Sequence, residues 1–480
     1  MLEGLQISVL NLKDVLVDND NKRIDSEYFK KQFLKFFQDV PNLRPLGSLA
    51  KDGYRVVYEN TKIIDKVEAV ERDFPIFLQA TDLETPFIKT SNLFYVDNEQ
   101  WERYPKGHIT KGEILIEVKG KIDKVAIVPD DFPAKTLVTG SLFKLTVNEK
   151  ISKNVLLTYL ISKFGVAFKD RYKTNLLISF VSKPDLYRIP VPSFSKKFED
   201  LIDNLFVKIL KSQKDSKELY SKAELQLLKS VGLDTFEPSQ DSVNIKKFKA
   251  SFGITKRLDA EYYQKKYEQI IEKIVKQKYD SLCRIADISK SIEPGSNHYS
   301  DEEGLPFYRV ADYNKFGLSK PDKELKYSFV SDNKDLIDKL KPKKGTILFS
   351  KDGSVGTAYL LRHDLDGITS SAILHLQIKD TKEIIPEYLT LALNSKLVQM
   401  QAERDAGGSI ILHWRKEEIE QVVVPIIDYG KQEEIALLVE ESFKLKVESE
   451  RLLEIAKKAV EMAIEIDEAT AIKFIKDNTN

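Results

Sequence analysis

Between residues 197 and 231 apolar or small side chains fall at Ile202, Leu205, Ile209, Ser212, Ser216, Leu219 and Ala223, alternately three and four apart. The same spacing returns 233 residues later at Ile435, Leu438, Ser442, Leu445, Ser449, Leu452 and Ala456. A stripe this narrow predicts the seam of a coiled coil, not the broad apolar face of a core helix. Two separate core helices would also show three-four spacing, but the matched copies favour helices that pack on each other. Neither 197–231 nor 431–475 contains Pro, and Gly232 closes the first. About 34 residues at 1.5 Å each make a rod of roughly 50 Å. Ser212, Ser216, Ser442 and Ser449 dilute the seam and would set register at some loss of stability. Ile202, Leu205, Ile209, Leu219, Ile435, Leu438, Leu445 and Leu452 are its candidate apolar contacts.

The repeat extends well beyond these helices. Arg23-Ile24-Asp25-Ser26-Glu27-Tyr28-Phe29 returns as Arg257-Leu258-Asp259-Ala260-Glu261-Tyr262-Tyr263, and Lys111-Gly112-Glu113-Ile114-Leu115 as Lys344-Gly345-Thr346-Ile347-Leu348. Val191-Pro192 returns as Val424-Pro425, and Phe74-Pro75-Ile76-Phe77 resembles Leu305-Pro306-Phe307-Tyr308. The offsets stay between 231 and 234, which identifies a tandem duplication. Within each copy, Asp25 and Asp259 are candidate N-caps. Strands are predicted at Ile114–Val118, Lys124–Val128, Ser141–Val147, Thr346–Ser350 and Ala358–Leu361, with helices at Val155–Phe164 and Pro386–Met400. The fold class expected is α+β: two similar α/β domains related by pseudo-twofold symmetry, joined by two long helices that pack on each other as a coiled coil. The expected divisions are an N-terminal segment 1–40, a first domain 41–195, a spacer helix 196–232, a linker 233–280, a second domain 281–429 and a spacer helix 430–475.

Composition narrows the class. Lys and Arg number 75 and so do Asp and Glu, so any nucleic-acid grip must come from clustered charge, not from its sum. A hydrophobic fraction of 42% with 31% charged residues reads as globular. The lone Cys283 excludes a disulfide framework or a thiolate-built zinc site. No uncharged apolar run reaches membrane-spanning length and Met1-Leu2-Glu3-Gly4 does not open like a secretory signal, so a cytoplasmic setting is expected.

Motifs for chemistry are few. There is no G-x-x-x-x-G-K-[ST] loop, no G-x-G-x-x-G after a strand and no Asn/Asp-Pro-Pro-aromatic segment, and the five histidines have no metal-ligand spacing. Asp97, Glu117 and Lys119 resemble the D…E-x-K arrangement of Mg²⁺-dependent nucleases, in which carboxylates hold the metal and Lys steadies the attacking water. The second copy places Ser350, Lys351 and Asp352 at Glu117, Val118 and Lys119, which cannot do that chemistry. What recurs instead is a turn glycine at Gly120 and Gly353. Polar groups gather at corresponding loops: Lys119 and Lys121; Arg171, Tyr172, Lys173 and Asn175; Lys351 and Ser354; Arg404 and Ser409. Lys290, His298, Arg309, Asn314, His413 and Trp414 add cationic, amide and aromatic groups. Such side chains neutralise phosphates and contact base edges. Flanks match between the copies while tips differ, as expected of one scaffold reading two things.

The repeated R-[IL]-D-x-E-Y-[YF], K-G-x-I-L…G and V-P motifs, in fixed order from Arg23 to about Ile464, resemble the specificity subunit of type I restriction-modification systems. The resemblance implies a non-catalytic chain whose two domains each read part of a split DNA target, with the two long helices packed as an antiparallel coiled coil that acts as a ruler. It also implies modification subunits that use S-adenosylmethionine and a restriction subunit that uses ATP and Mg²⁺. No cofactor is expected on this chain. The specificity subunit of a related bifunctional restriction-modification enzyme fits equally; a Mg²⁺ nuclease and a coiled-coil scaffold without nucleic acid are the competing classes.

Overall fold

The apolar runs build the same pair of sheets twice. In the computed structural model, which describes residues 9–479 except 17–18, 20–21, 59–60, 65–72, 91–92, 175–176, 242, 301–302 and 409–410, contacts divide the chain into two compact units. One comprises Met1–Lys211 with Glu448–Asn480, the other Ser212–Val447. The divisions therefore fall inside the long helices, where the sequence suggests separate spacers.

The first unit contains α1 (Lys31–Asp39), β1 (Ala50–Tyr54), β2 (Ile63–Ile64), β3 (Ile76–Leu78), β4 (Phe94–Val96), β5 (Ile114–Glu117), β6 (Val125–Ile127), β7 (Thr136–Val138) and β8 (Leu142–Val147). Helices α2 (Lys153–Ile161) and α3 (Lys163–Tyr172) follow, and then the long helix α4 (Lys196–Ser230) begins. Its sheets run β1-β8-β5-β6 and β7-β3-β4-β2. The second unit repeats this with α5 (Lys265–Ile274), β9 (Ala286–Lys290), β10 (Tyr299–Ser300), β11 (Leu305–Tyr308), β12 (Glu324–Leu325), β13 (Ile347–Ser350), β14 (Ala358–Leu360), β15 (Ile368–Thr369) and β16 (Ile373–Ile378). After α6 (Pro386–Asn394) and α7 (Lys396–Asp405) the second long helix, α8 (Tyr429–Glu465), begins. The sheets here are β9-β16-β13-β14 and β15-β11-β12-β10, strand for strand the same order. In the β7-β3-β4-β2 and β15-β11-β12-β10 sheets one pair is parallel, β7 with β3 and β15 with β11.

The K-G-x-I-L motif is explained by its surroundings. Ile114 and Ile116 of β5 enter one apolar core and Leu115 enters another; Ile347 and Phe349 of β13 are likewise separated from Leu348. A strand covered on both faces reads as a continuous apolar run, because neither face can be polar. Gly112 and Gly345 turn the chain into these strands with φ of +79° and +87°, a region where a Cβ is unfavourable. Their N–H groups bond Val128 and Leu361 carbonyls.

Asp25 and Asp259 do not cap α1 or α5, which begin only at Lys31 and Lys265; this is a correction. Each carboxylate grips the arginine two residues before it, Asp25 Oδ1 also accepts from Tyr28 N–H across a single turn, and only a short 3-10 turn at Glu261–Tyr263 lies between Asp259 and α5. The arginine reaches across its unit: Arg23 Nη1 donates to the carbonyls of Arg171 and Lys173, and Arg257 Nη1 to that of Asp405. These are the last carbonyls of α3 and α7, which lack helical partners and favour a cation. The motif is a clasp on a helix end. The single helices expected at Val155–Phe164 and Pro386–Met400 are each broken in two, because Ser162 and Ser395 cap new helices.

Within the first unit α4 and α8 meet through Ile202, Leu205 and Ile209 against Leu452, Ala456 and Val460. Ser449 Oγ donates to the Ile209 carbonyl at 3.0 Å. Within the second, Tyr220, Ala223 and Leu227 share a core with Ile435, Val439 and Phe443. There Ser442 Oγ donates to the Ser216 carbonyl at 2.7 Å. Ser442 and Ser449 are thus buried and bonded to the facing backbone, an approach that a longer side chain would block. Leu219, Leu438 and Leu445 are only half-buried, so Tyr220 and Val439 carry more of the contact than expected. Among the described residues no helix is long and apolar enough to cross a membrane.

Ser449→Ala removes one buried hydrogen bond and should lower stability by about 1 kcal/mol. Ser449→Leu forces two helices apart and should cost more, about 1–3 kcal/mol or above. Thermal unfolding of the full chain checks the order; a leucine variant as stable as the alanine variant would contradict close helix approach.

Candidate nucleic-acid interface

Two loops far apart in sequence form one surface in each unit. In the first, the β5–β6 tip carries Lys119, Gly120 and Lys121, with both lysines exposed. Gly120 N–H donates to the Ser179 carbonyl at 3.0 Å, and Val181 N–H to the Val118 carbonyl at 3.0 Å. Lys119 therefore pairs with Phe180 as in a strand ladder. Thr174 N–H bonds the Phe180 carbonyl, which draws the chain just after α3 into the same patch.

The second unit repeats these bonds at an offset of 233. Gly353 N–H donates to the Leu412 carbonyl and Trp414 N–H to that of Lys351, both at 2.8 Å. Asp352 pairs with His413, and Gly407 with His413 in turn. His413 Nδ1 lies 2.9 Å from Asp352 Oδ1 while most of its ring faces solvent. Gly120 and Gly353 have φ of +109° and +72°, which the tight turn requires.

The polar groups nominated from sequence divide in their environments. Lys119, Lys121, Ser354 and His413 are exposed on these tips. Lys351 is half-buried and its ammonium is held by Asp352. Lys173 is half-buried and pairs with Asp170. Lys290 is exposed at the end of β9, and Asn314 is exposed on a hairpin whose Tyr313 hydroxyl bonds the Thr357 carbonyl at the foot of the tip. His298 packs on Phe329, and Arg309 lies 3.7 Å from Asp312. Asn175 and Ser409 lie outside the described residues.

Four nominations are corrected. Arg171 is 4% exposed; its Nε donates to the Tyr28 carbonyl, and its guanidinium lies 4.1 Å from the Tyr28 ring centroid. Tyr172 is buried beside it. Arg404 makes two bonds to Asp405 and lies over the Tyr262 ring, the same aromatic–arginine contact in the second unit. Trp414 is 1% exposed and packs on Phe349. The arginines belong to the clasps that hold α3 and α7, and the tryptophan belongs to the core.

The nuclease constellation is also taken up by structure. Asp97 caps a short helix by accepting from Gln100 N–H at 2.9 Å. Glu117 is buried, which pushes its carboxyl pKa upward. The lysine facing it is Lys169, while Lys119 points from the exposed tip. Burial lowers the Lys169 pKa to about 8, opposed by the Asp123 and Glu117 carboxylates. Among the described residues no group of three His, Cys, Asp or Glu side chains could hold a metal ion.

Sequence reading missed the apolar members of the patch. Leu177 and Ile178 are exposed beside the first tip, and Ile411 and Leu412 beside the second. Their signal is present in Leu176-Leu177-Ile178 and Ile410-Ile411-Leu412, apolar runs at the repeat offset immediately after a polar loop. Arg55 closes the first patch, with its guanidinium 4.8 Å from the Phe180 ring centroid. Cations and backbone N–H groups can contact phosphates, and apolar side chains can contact a thymine methyl.

Residues 271–457 match the family described as the type I restriction modification DNA specificity domain. No curated protein matches the chain. Among solved structures it is similar to the type I restriction-modification system S subunit from M. genitalium, at 13% identity over 91% of this chain and 96% of that one, with a TM-score of 0.34. It is similar to the HsdS subunit from Thermoanaerobacter tengcongensis at 12% identity over 92% and 98%, with a TM-score of 0.26. The type IIG restriction endonuclease BpuSI is similar at 13% identity over 45% of this chain and 33% of that one, with a TM-score of 0.28.

Proposed function

We propose that the chain is the non-catalytic DNA-recognition subunit of a type I restriction-modification enzyme, with each unit reading one half of a split target. The observation that carries this reading is the repeated tip. Gly120 to Ser179 and Gly353 to Leu412 are the same backbone bond, yet the side chains around them differ. Shared backbone with divergent tips is the arrangement needed to present two different recognition surfaces from one scaffold. The match of residues 271–457 assigns the specificity-domain type to the second copy, and the duplication extends it to the first.

In this reading the α4–α8 pair is an antiparallel coiled coil that sets the gap between half-sites. Partner modification subunits bind S-adenosylmethionine and methylate DNA; a restriction subunit uses ATP and Mg²⁺. The complex works in the cytoplasm, where the DNA is. Phosphate attraction would come chiefly from Lys119 and Lys121 in the first unit, because Lys351 already has Asp352 as counter-ion.

Replacing Lys119 and Lys121 together with Ala should weaken binding to a mixed-sequence duplex and flatten its salt dependence, by roughly one unit of slope for each phosphate no longer neutralised. Lys351→Ala should change the slope less. Fluorescence-anisotropy titrations across a salt series check both, and an unchanged slope in the double variant would remove those lysines from the interface. His413→Ala should alter base preference in one half-site only. An equal effect on both halves would contradict two independent readers.

A further inference from the structure

Behind each tip, one side chain from the second helix of the α-helical pair holds the returning backbone. In the first unit Lys169 of α3 donates Nζ to the Asp123 carbonyl at 3.0 Å. In the second, Gln399 of α7 donates Nε2 to the Gly356 carbonyl at 2.7 Å. Asp123 and Gly356 are 233 residues apart, the offset of the repeat, so the acceptors correspond. Lys169 and Gln399 are 230 apart, so the donors come from positions about one helical turn different. Two unlike side chains from different turns reach the same carbonyl, which places the structural demand at the tip and not at the helix.

The tips need holding. Ile122, next to the bonded carbonyl, is a buried β-branched residue at φ +63°, a conformation its Cβ disfavours. Gly356 sits at φ +81°, and a Cβ there would lie 2.8 Å from Gln399 Nε2. Both backbones are therefore held from behind by one side-chain donor at a strained or crowded point, under the exposed residues 119–121 and 353–354.

We propose that Lys169 and Gln399 are positioning residues of the two reading tips, each setting the orientation in which one tip meets its half-site. This rests on the function proposed above. The two straps differ in one testable respect. Lys169 faces the Glu117 and Asp123 carboxylates and loses its charge as pH rises through about 8, which weakens a charge-assisted bond to a neutral one. The Gln399 amide has no charge to lose.

The test is selection by the full chain from a pool of randomised DNA duplexes, followed by sequencing, with hydrogen exchange measured at 117–124 and 350–357. Lys169→Met keeps the aliphatic stem and removes the donor; Gln399→Met does the same in the other unit. Each variant should relax the enriched sequence in one arm by about tenfold, the size of a base-pair discrimination, leave the other arm intact, and speed exchange at its own tip. For wild type, raising pH from 7 to 9 should relax the Lys169 arm only, a readout that needs no substitution. Wild type enriching two arms that neither variant nor pH separates would overturn the positioning role while leaving the DNA reading intact. Wild type enriching no sequence would overturn the DNA reading itself, and the positioning role with it.

Discussion

Within both units α4 packs against α8, and both cores are built on that packing. Each unit takes part of its core from both helices: Ile202 to Ile209 with Leu452 to Val460 in one, Tyr220 to Leu227 with Ile435 to Phe443 in the other. Neither helix can slip along its partner without withdrawing apolar side chains from a core and breaking the Ser449–Ile209 or Ser442–Ser216 bond. Small residues permit that approach, and a hydroxyl bonded to a facing carbonyl fixes its register. The domain scaffolds are anchored on these helices too. Ser152 N–H bonds Glu199 in the first unit, and Ile385 N–H bonds Gln432 in the second, at corresponding positions.

That pair shows how the copies diverged. A site kept by the fold is served by a charged side chain in the first unit and a neutral one in the second. Lys144 pairs with Glu113 at 3.2 Å, where the second copy has Gln377 donating to Thr346. Lys169 holds Asp123 where Gln399 holds Gly356. Glu199 becomes Gln432. Buried charge must be paired or bonded to be tolerated, and Lys144, Lys169 and Glu199 each keep such a partner. The bond is preserved and the electrostatics beneath the two surfaces are not, which gives one architecture two distinct interfaces.

Much of this is legible in the sequence. The duplication, the long helices and the central strands follow from offsets and periodicity, because those signals extend over many residues. The short-stranded sheets are not legible: β2, β10, β12 and β15 have two residues each, too few for any period. Arg171 and Arg404 look like DNA contacts because a loop arginine and a clasp arginine are identical in sequence; only Tyr28 and Tyr262, over 140 residues away, show the difference. Trp414 misleads for the same reason. The joining of the 119–121 tip to Ser179 and Phe180 cannot be read, since it is a backbone contact between loops and leaves no residue pattern.

Under the proposed function one ancestral reader was copied and the copies now recognise different DNA sequences. The most direct measurement is to map methylated positions across the genome of cells carrying this chain with its modification partner, against cells lacking the chain. Methylation confined to a motif of two unrelated arms at a constant gap is the expected result. A single uninterrupted motif, or a methylation pattern that does not change when the chain is removed, would contradict the claim.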